Sequence, residues 1–434
     1  MNRAEAEDFV YRSYLKAEKH QDYNVKDSFK RHPDLTREII RQKAGTPCVV
    51  VTGSKGKGSV STMISQILQS KYTVGLMTSP HMVDFCERFK INGINISAAE
   101  FAEQMSLIQE EIDTIDAQIP ENVCVSPMGI QADLGLAYFN AMHTDFNVFE
   151  CGKGAQYDDV NNIKHDYAVI NSIFPEHTRE LGETLEDIAA DKAHVINGEQ
   201  KCVYVARQKP SVMDIISGRA DKFRVSLKIY GRDFWAENIT YSPRGMKFDV
   251  AVGDIRYTDI VVPLLGEHQA RNCALAMALC ADVLDEIDIV SVREKLSGIE
   301  WPGRMEVISA DPFKMLDACI NTASCRNVKD VLSHLHIEKA TVIIGIPNDK
   351  DYAGVVREMN SVADKILLTR SQNPHYVFTD EQCAVMGKEG IQTVWTNSVE
   401  EAINKAKEFG RPVIILGTTS VVSEIKKLQL LHVI

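Results

Sequence analysis

The residues best suited to chemistry begin with Gly53-Ser54-Lys55-Gly56-Lys57-Gly58-Ser59. Three glycines in six positions let a backbone turn tightly enough to aim successive N–H groups at one anion. Lys57 is placed to reach terminal phosphates, and the Ser59 hydroxyl to face a phosphate or its metal. Glu150 opens a second cluster, Glu150-Cys151-Gly152-Lys153-Gly154. Its carboxylate is a hard oxygen ligand suited to Mg²⁺, although a solvated Glu at a strand end would look the same. His177 lies in Phe174-Pro175-Glu176-His177-Thr178. A single histidine is more often structural than a ligand, so its position must decide. Lys192 falls on an apolar stripe with Leu185, Ile188, Ala189, Val195 and Ile196. Such a lysine either snorkels from the edge of the stripe or is desolvated toward the neutral amine. In that neutral form it can capture CO₂ as a carbamate and become an anionic ligand.

The elements around these residues are legible from their periods. The apolar run at 48–52 reads as a strand that stops at Gly53. Val60, Met63, Ile64, Ile67 and Leu68 then mark one face of a helix. Strand, glycine loop and helix start is the arrangement that presents N–H groups and a helix dipole to a phosphate. Residues 73–77, 148–150, 168–173 and 203–205 read as further buried strands of a mostly parallel sheet. Glu150 and His177 then fall at the carboxyl ends of neighbouring strands, the ligand edge of an α/β sheet. Thr184 with Asp187 three residues on reads as a capping box opening the Lys192 helix. Residues 224–262 alternate apolar and polar between turns and read as an antiparallel meander beside the first domain. Trp301-Pro302-Gly303 breaks the chain. A second α/β series follows, with strands at 315–316, 341–345, 365–368, 393–395 and 413–416. The expected domains are residues 1–300 and 301–434.

Composition narrows the function classes. The 434 residues suffice for two or three domains with their own cores, and a formal net charge of −12 argues against nucleic acid as the main partner. No run approaches transmembrane length, and the N-terminus lacks an apolar signal core. Ten cysteines occur without a C-x-x-C pair and read as buried thiols of a reducing cytoplasm. The expected partners are therefore small molecules, with no nucleic acid and no membrane.

The loop is not the standard phosphate-binding spacing, because Gly58 separates Lys57 from Ser59. It resembles the nucleotide loop of Mur ligases and, more closely, that of folylpolyglutamate synthases, whose usual form is Thr-Gly-Thr-Asn-Gly-Lys-Gly-Ser. Further segments keep that family's order: Thr78-Ser79-Pro80-His81-Met82-Val83 with Glu87-Arg88, Ile91-Asn92-Gly93, Leu265-Gly266-Glu267-His268-Gln269 with Asn272, Trp301-Pro302-Gly303-Arg304 and Asp349-Lys350-Asp351. The resemblance spans about residues 47–424. It implies an α/β fold: a mostly parallel-sheet phosphate-loop ATPase domain with a small antiparallel side sheet, plus a C-terminal Rossmann-like domain. It also implies that Lys55, Gly56, Lys57, Gly58 and Ser59 bind ATP phosphates, and that Ser79, Glu150 and His177 hold Mg²⁺. By the same resemblance Lys57, Lys192 and His177 are catalytic, and Lys192 matches a lysine carbamylated in the family. Asn272 would contact adenine, Arg304 the phosphates and Asp317 the ribose.

Several positions depart from the pattern. The family's Gly-Gly-Arg-Leu-Asp loop is Ala155-Gln156-Tyr157-Asp158-Asp159, which leaves Tyr157 and Asp158 as candidate substrate contacts. Its Asp-His-Thr triplet is Glu176-His177-Thr178, and Ile320 replaces the histidine of its Asp-Gly-Ala-His-Asn motif. A common Phe-Glu pair is Met128-Gly129. Nucleotide residues are kept while acceptor residues change, a pattern that suggests retained chemistry on an altered substrate. The reading is an ATP-dependent carboxylate–amine ligase working through an acyl phosphate, with glutamate as the default amine. The alternative is a non-catalytic nucleotide-binding protein of the same fold serving a partner or regulatory role. A small-molecule kinase, which needs no amine, is a third reading.

Overall fold

A computed structural model describes residues 1–20 and 31–431. The strands β1 (Cys48–Thr52), β2 (Val74–Met77), β3 (Phe89–Ile91), β4 (Ile94–Asn95), β5 (Phe146–Glu150), β6 (Tyr167–Ile170), β7 (Cys202–Val205) and β8 (Ser226–Ile229) form one sheet. Its order is β4-β3-β2-β5-β1-β6-β7-β8. The six strands from β2 to β8 pair in parallel, and β3 and β4 add an antiparallel edge. Every residue of β1 and β5 is buried, which explains why both read as unbroken apolar runs rather than alternations. Glycine at 75 is required by close packing. A Cβ there would lie 2.4 Å from Asn147 Oδ1 and 2.7 Å from the Phe139 ring.

The meander is shorter than the sequence indicates. Only β9 (Phe234–Ser242), β10 (Gly245–Val252) and β11 (Ile255–Val262) form the antiparallel sheet. Residues 226–229, expected in that meander, instead pair in parallel with β7. As the outermost strand of the main sheet, β8 is only partly covered, so it shows the same half-exposed texture as a meander strand. The third sheet is β12 (Glu306–Ala310), β13 (Phe313–Asp317), β14 (Ala340–Gly345), β15 (Ala363–Leu368), β16 (Val394–Trp395) and β17 (Val413–Gly417), ordered β12-β13-β17-β14-β15-β16. β12 had no clear period, because its pairing with β13 shifts register between Val307 and Ser309.

Helices hold the sheets to the ligand edge. Lys57–Leu68 packs against Glu267–Leu284, where Ala270, Cys273, Ala274 and Met277 are all buried and mostly small. The N-terminal helix Arg3–Glu18 was not anticipated. Asn2 and Glu5 form its capping box, and Ala6, Phe9, Val10 and Ala17 line its buried face. That box and its spacing were the available signal.

A buried polar knot ties the N-terminal segment to the main sheet. Thr36 Oγ1 donates to Asp159 Oδ1 at 2.6 Å, the Ser126 hydroxyl donates to Asp159 Oδ2, and Asn162 Nδ2 donates to the Pro33 carbonyl at 2.6 Å. Burial pushes the Asp159 carboxyl up to about 6 despite both hydroxyls. The folded chain therefore holds this proton more tightly than the unfolded chain. Its contribution is fully present below the ordinary carboxylate pKa and is lost as pH rises through about 6. Asp159→Asn is expected to flatten the fall in melting temperature between about pH 4 and about pH 6, a difference of about 3 kcal/mol at most. Thermal denaturation of both proteins across that range is the check, and an unchanged pH slope would refute it.

Candidate nucleotide site

Gly53 and Gly56 take φ values of 142° and 74°, and Gly56 immediately precedes the helix Lys57–Leu68. A Cβ on Gly56 would stand 2.6 Å from Asn171 Nδ2, and one on Gly58 would stand 2.3 Å from the Trp301 ring and 3.3 Å from Glu150 Oε2. The loop is thus clasped between the end of β6, the helix Glu267–Leu284 and the chain break at Trp301. Ser54 fastens it from below: its backbone N–H donates to the Ser172 carbonyl at 2.9 Å and its hydroxyl to the Phe174 carbonyl at 2.9 Å. Ser59 is buried in the first turn of the helix. At the opposite side Asn171 Nδ2 donates to Asn272 Oδ1 at 3.0 Å, so Asn272 abuts the glycine turn.

Two lysines meet at the loop. Lys57 Nζ donates to the Gly53 carbonyl at 3.1 Å, and Lys192 Nζ donates to the same oxygen at 3.0 Å. Lys192 is fully buried at the end of the helix Leu185–Lys192, which Thr184 and Asp187 cap as expected. Its Nζ also donates to the Lys153 carbonyl at 2.7 Å and lies 3.0 Å from Glu176 Oε1. Burial, and then the nearby Lys57 charge, lower the Lys192 pKa, while Glu176 acts in the other direction.

Glu150 ends β5 fully inside this pocket. Its Oε2 accepts from the Ser79 N–H at 2.9 Å. Burial raises its pKa, and Lys57 is the strongest opposing charge, followed by the Ser79 N–H and Arg304. Ser79 and Glu150 are therefore brought together. His177 is exposed, yet partial burial lowers its pKa, with Glu176, Lys153, Glu180 and Lys192 as its charged neighbours. Tyr157 is exposed. Asp158 is turned inward, where its Oδ2 accepts from Gly152 N–H at 2.8 Å and its Oδ1 from Val160 N–H at 3.2 Å. It shapes the loop after Glu150 from within.

The C-terminal sheet closes the site. Asp317, at the end of β13, is buried and accepts from Met305 N–H at 2.9 Å; burial pushes it up to about 6 against the Arg304 charge. Arg304 sits between Glu150 and Asp317 electrostatically. Lys55 crosses to the helix Thr322–His334, donating to Ser324 Oγ at 2.5 Å. Beside Ser79 a cleft of about 470 Å³ opens between His81, Met82 and the residues 372–374, Ser420, Glu424 and Lys427 of the other side. Arg88 Nε donates to His81 Nδ1 at 2.9 Å, which leaves the other ring nitrogen to carry the hydrogen.

Sequence reasoning missed Asn171, Glu176 and Trp301 as parts of the site. Glu176 and Asn171 flank a strand end already singled out, and Trp301 sits in the quoted Trp-Pro-Gly break. Their contacts to Lys192, Asn272 and Gly58 are long-range and leave no local pattern.

Comparison with known proteins agrees with this layout. The Mur ligase middle domain matches residues 51–280, and the Mur ligase glutamate ligase domain matches residues 303–418. The chain belongs to the Mur ligase family, whose activity is ATP-dependent amide-bond formation. It is 26% identical to the dihydrofolate synthase/folylpolyglutamate synthase of Bacillus subtilis (strain 168), over 93% of this chain and 95% of that one. It is 25% identical to folylpolyglutamate synthase of Lacticaseibacillus casei, over 87% of this chain and 88% of that protein. The solved apo form of the L. casei folylpolyglutamate synthase superposes with a TM-score of 0.84 at 23% identity, covering 99% of this chain and 100% of that one. The Mycobacterium tuberculosis folylpolyglutamate synthase complexed with ADP and AMPPCP gives 0.84 at 23% identity, over 96% and 98%. These structures establish the shared fold: a mostly parallel sheet, a small antiparallel sheet and a mixed C-terminal sheet.

The Gly56 geometry has a measurable consequence. Gly56→Ala combines a left-handed backbone with a side-chain clash, so it is expected to weaken binding of a non-hydrolysable ATP analogue about tenfold or more. Isothermal titration tests this, and wild-type affinity in a folded variant would show that the turn does not shape the phosphate cradle.

Proposed function

We propose that this ligase joins a small-molecule carboxylate to an amino acid, with glutamate as the first amine to test and a folate-type pteroyl compound as the first acceptor. The single observation that carries the reading is the meeting of Lys57 and Lys192 on one loop carbonyl, with buried Glu150 beside them. Two ammonium groups converging on one carbonyl create a strong demand for the anionic oxygens of a transferring phosphoryl group. The relatives named as folylpolyglutamate synthases, one of them solved with ADP and AMPPCP, support ATP as the donor.

In this reading the loop amides and Lys57 hold the terminal phosphates, and Asn272, Arg304 and Asp317 bind the rest of the nucleotide from two sides. Glu150 and the Ser79 hydroxyl offer hard oxygens of the kind Mg²⁺ takes together with substrate phosphates. Among the described residues no three His, Cys, Asp or Glu side chains cluster as a metal site. Such an ion supplies charge neutralisation on the phosphates. The acceptor carboxylate takes the γ-phosphoryl group, and the resulting acyl phosphate is attacked by the amine, with loss of orthophosphate. The cleft beside His81 is the proposed entry for the amine substrate, and His81 offers it a fixed hydrogen-bond donor. The units proposed at residues 1–300 and 301–434 close on the nucleotide through Lys55, Arg304 and Asp317. Asp158, buried as it is, orders the acceptor loop, while exposed Tyr157 is free to meet the acceptor. His177 is kept as a candidate that only the occupied site brings to the phosphates. The non-catalytic alternative is not favoured, because the named relatives are folylpolyglutamate synthases.

An ADP-release screen of carboxylate and amino-acid pairs tests the reading. Turnover is expected only when both members are present. ADP release with a carboxylate or alcohol alone, accompanied by a stable phosphorylated product, would identify a kinase instead. Lys57→Ala is expected to abolish turnover while the nucleotide-free protein melts within about 2 °C of wild type, since removing one of two like charges leaves the core intact.

A further inference from the structure

The loop that follows Glu150 is held down by a part of the chain that neither family domain covers. Those domains match residues 51–280 and 303–418, so residues 31–36 lie outside both. Arg31 Nη1 donates to Asp158 Oδ2 at 3.3 Å, Thr36 Oγ1 to Asp159 Oδ1 at 2.6 Å, and Asn162 Nδ2 to the Pro33 carbonyl at 2.6 Å. Gly129 makes room for this docked segment. A Cβ there would stand 2.6 Å from Asp159 Oδ1 and 2.9 Å from Thr36 Cγ2. The larger Phe-Glu pair of the resembling pattern could not share that space.

Arg31 and the loop meet over Gly152, two residues after Glu150. A Cβ on Gly152 would lie 3.0 Å from Asp158 Oδ2, 3.5 Å from Arg31 Nη1 and 3.5 Å from Met128 Cγ. Asp158 is engaged internally: its side chain is 1% exposed and accepts from the Gly152 and Val160 N–H groups and from Arg31. The Arg31 side chain remains 28% exposed. A guanidinium carries five N–H donors in a planar fork that matches a carboxylate. The next residue in the loop, Lys153, accepts from Lys192 at its carbonyl. One dipeptide, Gly152-Lys153, thus links the guanidinium to the lysine pair of the proposed phosphoryl site. The loop Ala155-Gln156-Tyr157-Asp158-Asp159 has lost the arginine of the resembling pattern. Its positive charge comes from the N-terminal segment instead.

We propose that Arg31 is a specificity-determining residue that binds a second carboxylate of the acceptor, beside the one that is activated. The acceptor class is then a dicarboxylate with its two groups a few bonds apart, as at the terminal glutamate of an already glutamylated compound, and not a monocarboxylate. Asp158 is the positioning residue: it sets the guanidinium over Gly152 and balances part of its charge. A buried carboxylate needs such a partner, so the pair is held together before any acceptor arrives. The inference deepens the ligase reading and rests on it, assigning the charge of an acceptor that the reading leaves open.

The test uses the full chain with ATP and glutamate, and two probes that share one ring system: folic acid, a dicarboxylate, and pteroic acid, a monocarboxylate. By ADP release the wild-type protein is expected to favour folic acid about tenfold or more in kcat/KM. Arg31→Ala is expected to lose about tenfold or more of kcat/KM for folic acid, carried by KM, with kcat lowered less than about threefold. Arg31→Lys keeps the charge without the fork and is expected to fall between the two. Equal use of both probes by the wild type, or a preference for pteroic acid, would overturn the proposal without reference to any variant. So would an undiminished preference for folic acid in Arg31→Ala, or a loss there that falls equally on both probes, as a merely structural role requires. Silence with both probes also overturns it, whereas the ligase reading fails only if the wider screen of carboxylate and amino-acid pairs is silent too.

Discussion

Two lysine ammonium groups bonded to one carbonyl oxygen set the terms for the rest of the molecule. Lys57 and Lys192 approach Gly53 from different helices, and like charges this close repel. Such an arrangement persists only if anions and oriented dipoles surround it. Glu176 answers Lys192 and Glu150 faces Lys57. The parallel sheet exists, functionally, to bring these pieces to one edge: β1 delivers the loop, β5 delivers Glu150 and β6 leads to Glu176.

The parts legible in the sequence were those governed by local rules. The apolar run before Gly53 and the helical stripe after it fix a strand–loop–helix unit whatever the rest of the chain does. The Thr184 capping box and the phase of Lys192 placed that side chain inside correctly, because a buried helical face is a matter of spacing. The segment 226–229 was misplaced for a physical reason. An edge strand half open to solvent and a meander strand share one texture, and only pairing distinguishes them. Asp158, a candidate substrate contact by family motif, also accepts from the Gly152 and Val160 N–H groups, contacts that no local pattern announces. Glu176 illustrates the limit most clearly. Its sequence neighbours say nothing of Lys192, sixteen positions on, and the meaning of one added methylene emerges only from the distance it spans.

The second sheet adds a second side to the proposed phosphate site. Asp317 ends β13 as Glu150 ends β5, so two buried carboxylates from separate sheets face the same arginine, Arg304. Lys55 reaches across to Ser324 from the loop itself. In the proposed site a nucleotide would touch both sides, and its binding energy would help to hold them together. Departures from the family pattern fall at Ala155-Gln156, Met128-Gly129 and Ile320, and one, Glu176, lies beside Lys192 itself.

The most direct measurement follows oxygen rather than ADP. The carboxylate that supports turnover is labelled with oxygen-18 in its reacting group, and the orthophosphate released during amide formation is analysed by mass spectrometry. An acyl phosphate requires one labelled oxygen to leave with the phosphate, so the account predicts one oxygen-18 in each orthophosphate formed. Orthophosphate free of label, with the amide product still formed, would contradict it.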